Sequence, residues 1–222
     1  MFFTKEFKKL ISRYRGLNKL DKKIEKYIDF NNGFFVELGA NDGITQSNTY
    51  YFEKHRGWRG VLIEPAPNKY LICKKNRSPK TKVYCNACTS FDYKEKFVEI
   101  VYSNLMSVSL NLETDLDVVR HIEIGKMHLD KSEDNFTFGA IARPLNEILI
   151  DANAPKKIDF LSLDVEGSEI EVLKGINYST FNFSFICVEA RNIDKIDYFL
   201  KNKGYLLIDQ LSDKDYLFKK SS

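Results

Sequence analysis

The chain has 222 residues, 43% hydrophobic and 29% charged, which suits one α/β domain with a full core and excludes a disordered polyelectrolyte. Its net charge of +3 comes from 34 basic and 31 acidic residues, a balance that neither demands nor forbids an anionic partner. No apolar run approaches the ~20 residues of a membrane span and no secretory signal opens the chain, so the cytoplasm is the expected compartment.

Residues 1–30 are expected to be helical, because Phe3, Phe7, Leu10, Ile11, Tyr14, Leu17, Leu20, Ile24, Tyr27 and Ile28 recur at three and four with lysines and arginines opposite. Gly16 is a natural point of division. Such a helix covers a sheet edge or a substrate cleft; the alternative is contact with an anionic surface or nucleic acid. Phe34 to Leu38 is then an apolar strand that breaks into a Gly/Asn/Asp loop through Gly43. A helix from Ser47 to His55 follows, with Thr45 or Ser47 as its cap. Gly60 to Ile63 is a short strand ending in Glu64. Pro67 opens the next helix, through about Asn76, and Lys82 to Ala87 is a third strand. This β-α-β-α-β pattern implies a parallel sheet with right-handed crossovers.

Phe97 to Tyr102 alternates as an added strand. Residues 103–135 are irregular and carry Ser103, Asn104, Ser107, Ser109, His121 and His128; a long connection of this kind is usually functional or mobile. Phe136 to Ala142 reads as a strand and Pro144 to Asp151 as a helix. Ile158 to Asp164 is a strand closing in an acid, Gly167 to Gly175 a short helix, and Phe183 to Val188 a buried strand ending in Glu189. Ile193 to Lys203 is helical and stopped by Gly204. Tyr205 to Leu211 and Tyr216 to Lys219 form a hairpin whose last strand runs antiparallel to its neighbour. The expected fold is α/β and Rossmann-like, mostly parallel, with helices on both faces. A helical segment, 1–32, precedes a domain, 33–222, with an irregular insertion at about 103–143.

Strand, glycine loop, helix is how such a fold opens a nucleotide site. Gly39 lets the backbone turn and approach a ligand. Asn41 stands where many nucleotide loops have glycine, and asparagine tolerates positive φ. Glu37 and Asp42 would repel a pyrophosphate and suit a ligand with a cationic portion, such as the amino group and sulfonium of S-adenosylmethionine. Glu64 stands where an acid grips ribose hydroxyls. Asn86 ends strand three, where an adenine would lie, and is equally a plain turn residue. Four acids, Glu37, Glu64, Asp164 and Glu189, end strands and so share one rim. Two of them beside a reacting group would act as a general base or hold a divalent cation. Glu166 is placed to enter the cleft, whereas Glu169 is expected to face solvent. Cys73, Cys85, Cys88 and Cys187 lie in or beside apolar runs, as buried free thiols do. The Cys85/Cys88 pair ends a strand, and His55, His121 and His128 lack the paired spacing of a zinc site.

Phe35 to Gly43, Val61 to Pro65 and, above all, Ile158-Asp159-Phe160-Leu161-Ser162-Leu163-Asp164-Val165-Glu166-Gly167-Ser168-Glu169 resemble the FkbM family of S-adenosylmethionine-dependent methyltransferases. Cys187 to Ala190 is similar to its later strand, so the likeness covers roughly residues 33–190. The resemblance implies a class I methyltransferase fold and O-methyl transfer to sugar, glycan-like or polyketide hydroxyls. It implies Glu37, Gly39, Ala40, Asn41, Asp42 and Gly43 around the methionine portion, and Ser47 and Asn48 at its carboxylate. Glu64 and Pro65 fall at the ribose and Asn86 and Ala87 at the adenine. Asp164 falls near the sulfonium, with Glu166 and Glu189 toward the acceptor. Mg²⁺ on Asp164 and Glu189 is an alternative use of those acids. The leading expectation is a carbohydrate O-methyltransferase. An RNA ribose 2′-O-methyltransferase is the runner-up: Asp164, Lys174 and Glu189 fall in the order of its usual set, but Lys174 lies on the outer part of a short helix. A non-catalytic binding module is the third reading.

Overall fold

The computed structural model describes residues 12–114, 116–129 and 131–221. The chain begins with a 3₁₀ turn, Leu17–Lys19, and helix α1 (Leu20–Glu25), then alternates β1 (Phe34–Leu38), α2 (Tyr50–Arg56), β2 (Arg59–Ile63), α3 (Pro67–Asn76) and β3 (Lys82–Tyr84). Next come β4 (Ala87–Thr89), β5 (Phe97–Tyr102), β6 (Val108–Ser109), α4 (Val118–Met127) and β7 (Phe136–Pro144). It ends with α5 (Leu145–Asp151), β8 (Lys157–Leu163), α6 (Glu169–Lys174), β9 (Asn182–Glu189), α7 (Ile193–Lys201), β10 (Tyr205–Gln210) and β11 (Asp215–Lys220).

Seven strands form the central sheet, in the order β10-β11-β9-β8-β1-β2-β3. The run from β9 to β3 is parallel, and β11 pairs antiparallel with both β9 and β10. Strand side chains alternate between two cores, as the two-residue period requires. Val36, Val61, Leu161 and Ile186 pack on one face with Leu145, Ile148 and Leu149 of α5, Leu173 of α6 and Leu200 of α7. Phe35, Leu62, Phe160 and Cys187 pack on the other with Leu20 and Ile24 of α1, Phe52 of α2 and Cys73 of α3. With both faces covered, β1 and β2 read as nearly unbroken apolar runs. A second sheet, β4-β7-β5-β6, stands beyond β3. Its own small core is Ala87, Val98, Ile100 and Ala140.

Four local expectations change. Residues 1–11 lie outside the described residues, and from residue 12 the long helix is not formed. Gly16 instead bridges Gln46, and the Asp21 carboxylate accepts the Arg15 N–H at 2.7 Å. Asn18 and Lys19 take left-handed φ of 51° and 58°, so helical geometry starts only at Leu20. The helix expected from Ser47 begins at Tyr50 with Thr49 at its N-cap position; Ser47 lies in the turn before it, where its hydroxyl accepts the Tyr50 N–H at 3.1 Å. The third strand splits at Cys85–Asn86, sending β3 to one sheet and β4 to the other. The 103–135 segment contains β6 and the ten-residue α4, whose Asp117 cap accepts the Arg120 N–H. Val118, Val119, Ile122 and Ile124 are β-branched and mask α4 in the sequence, and only His121 and Gly125 of that helix are buried.

Candidate active site

The carboxyl ends of β1, β2, β8 and β9 open onto one cavity of about 560 Å³. In an open parallel sheet this is where ligands sit, at the point where strand order reverses. The opposite wall comes from Val98 and Ile100 of β5 and from residues 103–107, 109 and 112.

Gly39 sets the floor. Its φ is +76°, and a Cβ there would lie 2.0 Å from the Asp164 carbonyl oxygen. Only glycine lets the β1 loop press so closely against the end of β8. Asn41 follows at φ +45° and donates its N–H to Glu64 Oε2 at 2.8 Å. The Ala66 N–H donates to the other oxygen, Oε1, at 2.9 Å. Two such bonds leave a carboxylate with spare lone pairs, and Glu64 lines the cavity. Burial pushes its carboxyl up to about 7. Pro65, Asn86 and Ala87 continue the same wall, with Asn86 Nδ2 donating to the Ile141 carbonyl at 3.2 Å.

Six sequence candidates do not line this cavity: Glu37, Ala40, Asp42, Gly43, Ser47 and Asn48. They build the ground beneath it. Glu37 accepts from Ser47 Oγ at 2.8 Å, the Asn48 N–H at 2.8 Å and Thr49 Oγ1 at 2.6 Å. Arg77, at the end of α3, pairs with Glu37 at 3.5 Å and with Glu53 at 3.2 Å, and its side chain has no exposed surface. It also donates to the Gly43 carbonyl at 3.1 Å. Asp42 spends its carboxylate on the Ile44 and Thr45 N–H groups and the Thr45 hydroxyl, shaping the turn. Ala40 is buried and donates its N–H to the Ile63 carbonyl. The acid expected to meet a ligand's cation, Glu37, therefore meets a buried arginine of this chain.

Besides Glu64, the acids that face the cavity are Asp164, Glu166 and Glu189. Burial raises the carboxyls of all three above their ordinary range. For Asp164 the negative charges of Glu189, Glu166, Glu169 and Asp215 add to burial. A site of this kind favours a cationic ligand, which would relieve the repulsion. Glu166 sits at a left-handed φ of 53°, a conformation that costs energy outside glycine. Its Oε2 accepts from Arg191 at 3.0 Å and lies 3.5 Å from His121 Nε2. Burial lowers the His121 pKa, as does the nearby Arg191 charge. Glu189 is 3.8 Å from Lys214.

Glu169 does not face solvent. It is buried and accepts the N–H groups of Val165 at 3.2 Å and Gly167 at 3.0 Å, tying down the turn that carries Glu166. Gly167, at φ +95°, would drive a Cβ to 2.5 Å from Thr114 Oγ1, so the 103–135 segment sits directly on this turn. Lys174 is exposed and bonds Glu113 at 2.6 Å, away from the cavity. Among the described residues no group of three or more His, Cys, Asp or Glu side chains is arranged to hold a metal ion. With Glu166 and Glu189 turned to Arg191 and Lys214, Mg²⁺ on Asp164 and Glu189 has no support in the donor geometry. The four cysteines are free thiols, and Cys85 points its Sγ at the Pro65 carbonyl.

Sequence reasoning gave Arg77, Arg191 and Lys214 no role. Arg191 stands two residues past Glu189, at a strand end, where the rim argument could have reached it. Lys214 was legible in principle: Asp215 pairs with Glu189, so the hairpin turn must lie at the rim. Arg77 carried no signal, because its partners come together only in three dimensions.

A doubly wound sheet in this order, with its cavity at the ends of β1, β2 and β8 and an acid closing β2, defines a class I S-adenosylmethionine-dependent methyltransferase. The Methyltransferase FkbM domain model matches residues 37–207, more than half the chain, and the chain belongs to that family. S-adenosylmethionine is the family's cofactor, and the residues present fit it: a side-chain-free floor at Gly39, an acid for hydroxyls at Glu64 and an anionic rim for its positive charge.

Solved structures that are similar at low identity include the following. A methyltransferase FkbM from Methylobacillus flagellatus KT is 14% identical, with a TM-score of 0.47, over 85% of this chain and 43% of the longer one. A candidate RNA methyltransferase from Pyrococcus horikoshii is 10% identical, with a TM-score of 0.47, over 92% of this chain and 84% of that one. A TehB-like methyltransferase from Corynebacterium glutamicum is 9% identical, with a TM-score of 0.44, over 91% and 88% of the two chains. No curated protein matches the sequence. No helix among the described residues is long and apolar enough to cross a membrane.

Proposed function

We propose that this chain methylates a hydroxyl oxygen of a sugar or glycan-like acceptor. The observation that carries the reading is the convergence of Asp164, Glu166 and Glu189 on the cavity, which Ser103, Asn104, Ser107 and Ser109 also line. Carboxylates accept hydrogen bonds only, and each takes two hydroxyls at once. A polyhydroxylated acceptor suits such a rim. Lys174, the cation an RNA ribose methyltransferase set needs, is bound to Glu113 outside the cavity.

S-adenosylmethionine supplies the methyl group as a sulfonium. The chain's part is to hold the acceptor oxygen in line and to take its proton. With the cofactor bound, Asp164 or Glu189 would take the proton of the acceptor hydroxyl as its oxygen is methylated. Their carboxyls, raised by burial and mutual repulsion, are better bases than an exposed acid. Arg191 and Lys214 hold Glu166 and Glu189 in place.

A screen with methyl-labelled cofactor over neutral glycans, amino sugars and structured RNA tests this. Label is expected on a glycan hydroxyl, as a methyl ether that is retained through base treatment. Label on RNA with a silent glycan panel would sink the acceptor class. Asp164→Asn and Glu189→Gln are each expected to cut turnover by about 10²- to 10⁴-fold, the usual worth of a general base. S-adenosylhomocysteine should still bind both. Full activity in both variants would remove these residues from the mechanism.

A further inference from the structure

We propose that Asn104 and Glu133 are positioning residues of the cofactor site, closing a polar ring that makes cofactor affinity depend on the docking of the 103–135 segment. The inference rests on the reading of the main cavity as the S-adenosylmethionine site. Neither residue belongs to the β1 loop or to the acid rim.

The ring can be followed atom by atom. Glu64 Oε2 accepts the Asn41 N–H at 2.8 Å. The Asn41 side chain donates from Nδ2 to Asn104 Oδ1 at 3.0 Å. Asn104 Nδ2 donates to Glu133 Oε2 at 2.6 Å. Glu133 Oε1 accepts from the Tyr102 hydroxyl at 2.7 Å and pairs with Lys69 Nζ at 3.0 Å. Lys69 lies in the first turn of α3, and the backbone from Lys69 back through Ala66 returns to Glu64, whose Oε1 holds the Ala66 N–H. The circle thus passes once through the cofactor floor, once through each end of the 103–135 segment and once through α3.

Asn135 closes the same neck a second time. Its Nδ2 donates to the Tyr102 carbonyl and to Ser103 Oγ, each at 2.7 Å. Asn104 itself holds a left-handed φ of 55° and lines the cavity beside Asn41 and Glu64. This geometry has a directional consequence. Asn41 has one peptide N–H and one side-chain amide, and the first orients Glu64 while the second is gripped by Asn104. When Asn104 lets go, the peptide plane that aims the Glu64 carboxylate loses its second anchor. Anything that fixes Glu64 from inside the cavity then also favours the docked segment. By linkage the two events strengthen each other equally.

Isothermal titration of the full chain with S-adenosylhomocysteine tests the ring. Asn104→Gly removes the amide while keeping a residue that accepts the left-handed backbone; Glu133→Ala removes the carboxylate. Each is expected to weaken binding about tenfold, the scale of one hydrogen bond to a charged group. The double variant should be no weaker than either single, because a ring broken once is already open. Hydrogen exchange supplies an independent readout: the ligand should protect residues 103–109 and 131–135 of the native chain. In Asn104→Gly that protection should be confined to residues near 36–48 and 84–88. If Asn104→Gly does not fold, Asn104→Asp keeps the shape and sets a second carboxylate against Glu133, with the same expected loss. Affinities within twofold of the native chain, additive losses in the double variant, or native protection that stops short of 103–135 would overturn the ring. A native chain that binds no S-adenosylhomocysteine overturns the cofactor reading itself, an outcome visible before any variant is made.

Discussion

Gly39, Glu64 and Arg77 show how differently single residues serve one site. Gly39 serves by absence. Gly39→Ala must either move the Asp164 carbonyl or give up its φ of +76°, and is expected to cost about 2 kcal/mol or more, read by urea unfolding. It should also abolish binding of S-adenosylhomocysteine. Arg77 serves by charge. Arg77→Met leaves Glu37 and Glu53 buried without their cation, a change worth about 3–5 kcal/mol, again read by urea. A loss under about 1 kcal/mol would mean that Glu37 and Glu53 find other partners. Glu64 serves by proton affinity. Its folded carboxyl sits at about 7 against an ordinary 4.5, so between those values the folded chain keeps a proton the unfolded chain has released. Stability without ligand should therefore fall as the pH rises from about 4.5 to about 7 and level off above, with at most about 3 kcal/mol from this group. Asp164, Glu166 and Glu189 are raised in the same direction and add to the slope. Melting temperatures across this range check it: Glu64→Gln should give a shallower slope, and an unchanged slope would refute the assignment. Glu64, Asp164 and Glu189 were legible because acids at strand ends have few places to go but the rim. Glu37 obeys the same rule and still points elsewhere, since its direction depends on Arg77, which lies 40 residues away.

Among the elements, the α/β alternation was legible almost throughout, because β1, β2, β8 and β9 are covered on both faces and are mostly apolar. The 103–135 segment was not. Its helix α4 buries only His121 and Gly125, so it shows no apolar stripe to read. What starts α4 is the Asp117 cap, and Asp117→Ala is expected to cost about 1 kcal/mol locally. Faster hydrogen exchange across residues 118–127, with the central sheet unchanged, would display that loss. From residue 12 the N-terminal expectation failed for the opposite reason. Its apolar spacing is genuine, as buried Leu20, Ile24 and Ile28 attest, but Gly16 and Asn18 bend the backbone away before it can coil. Pattern reports which side chains go inward, and the bends are set by neighbours the pattern does not contain. The second sheet was read only as loose strands, since β4 and β7 pair across 55 residues at Ala87 and Ala142.

For the whole molecule, the decisive contact is the pairing of β1 with β8. Strand β1 has one neighbour close in sequence, β2, and another that arrives much later: the Phe34 N–H bonds the Asp159 carboxylate, 125 residues on. The close approach of Gly39 to Asp164 belongs to the same late partnership. Closing so long a stretch of chain is slow compared with local helix formation. During synthesis the floor of the cavity must therefore wait, with the apolar edge of β1 uncovered, until β8 has left the ribosome. Refolding followed by S-adenosylhomocysteine binding should lag behind refolding followed by helical circular dichroism. A permuted chain that starts in the 153–156 turn, so that β8 is made first and β1 soon after, should lose most of that lag. The enzyme's vulnerable moment would then lie in its birth order rather than in its finished structure.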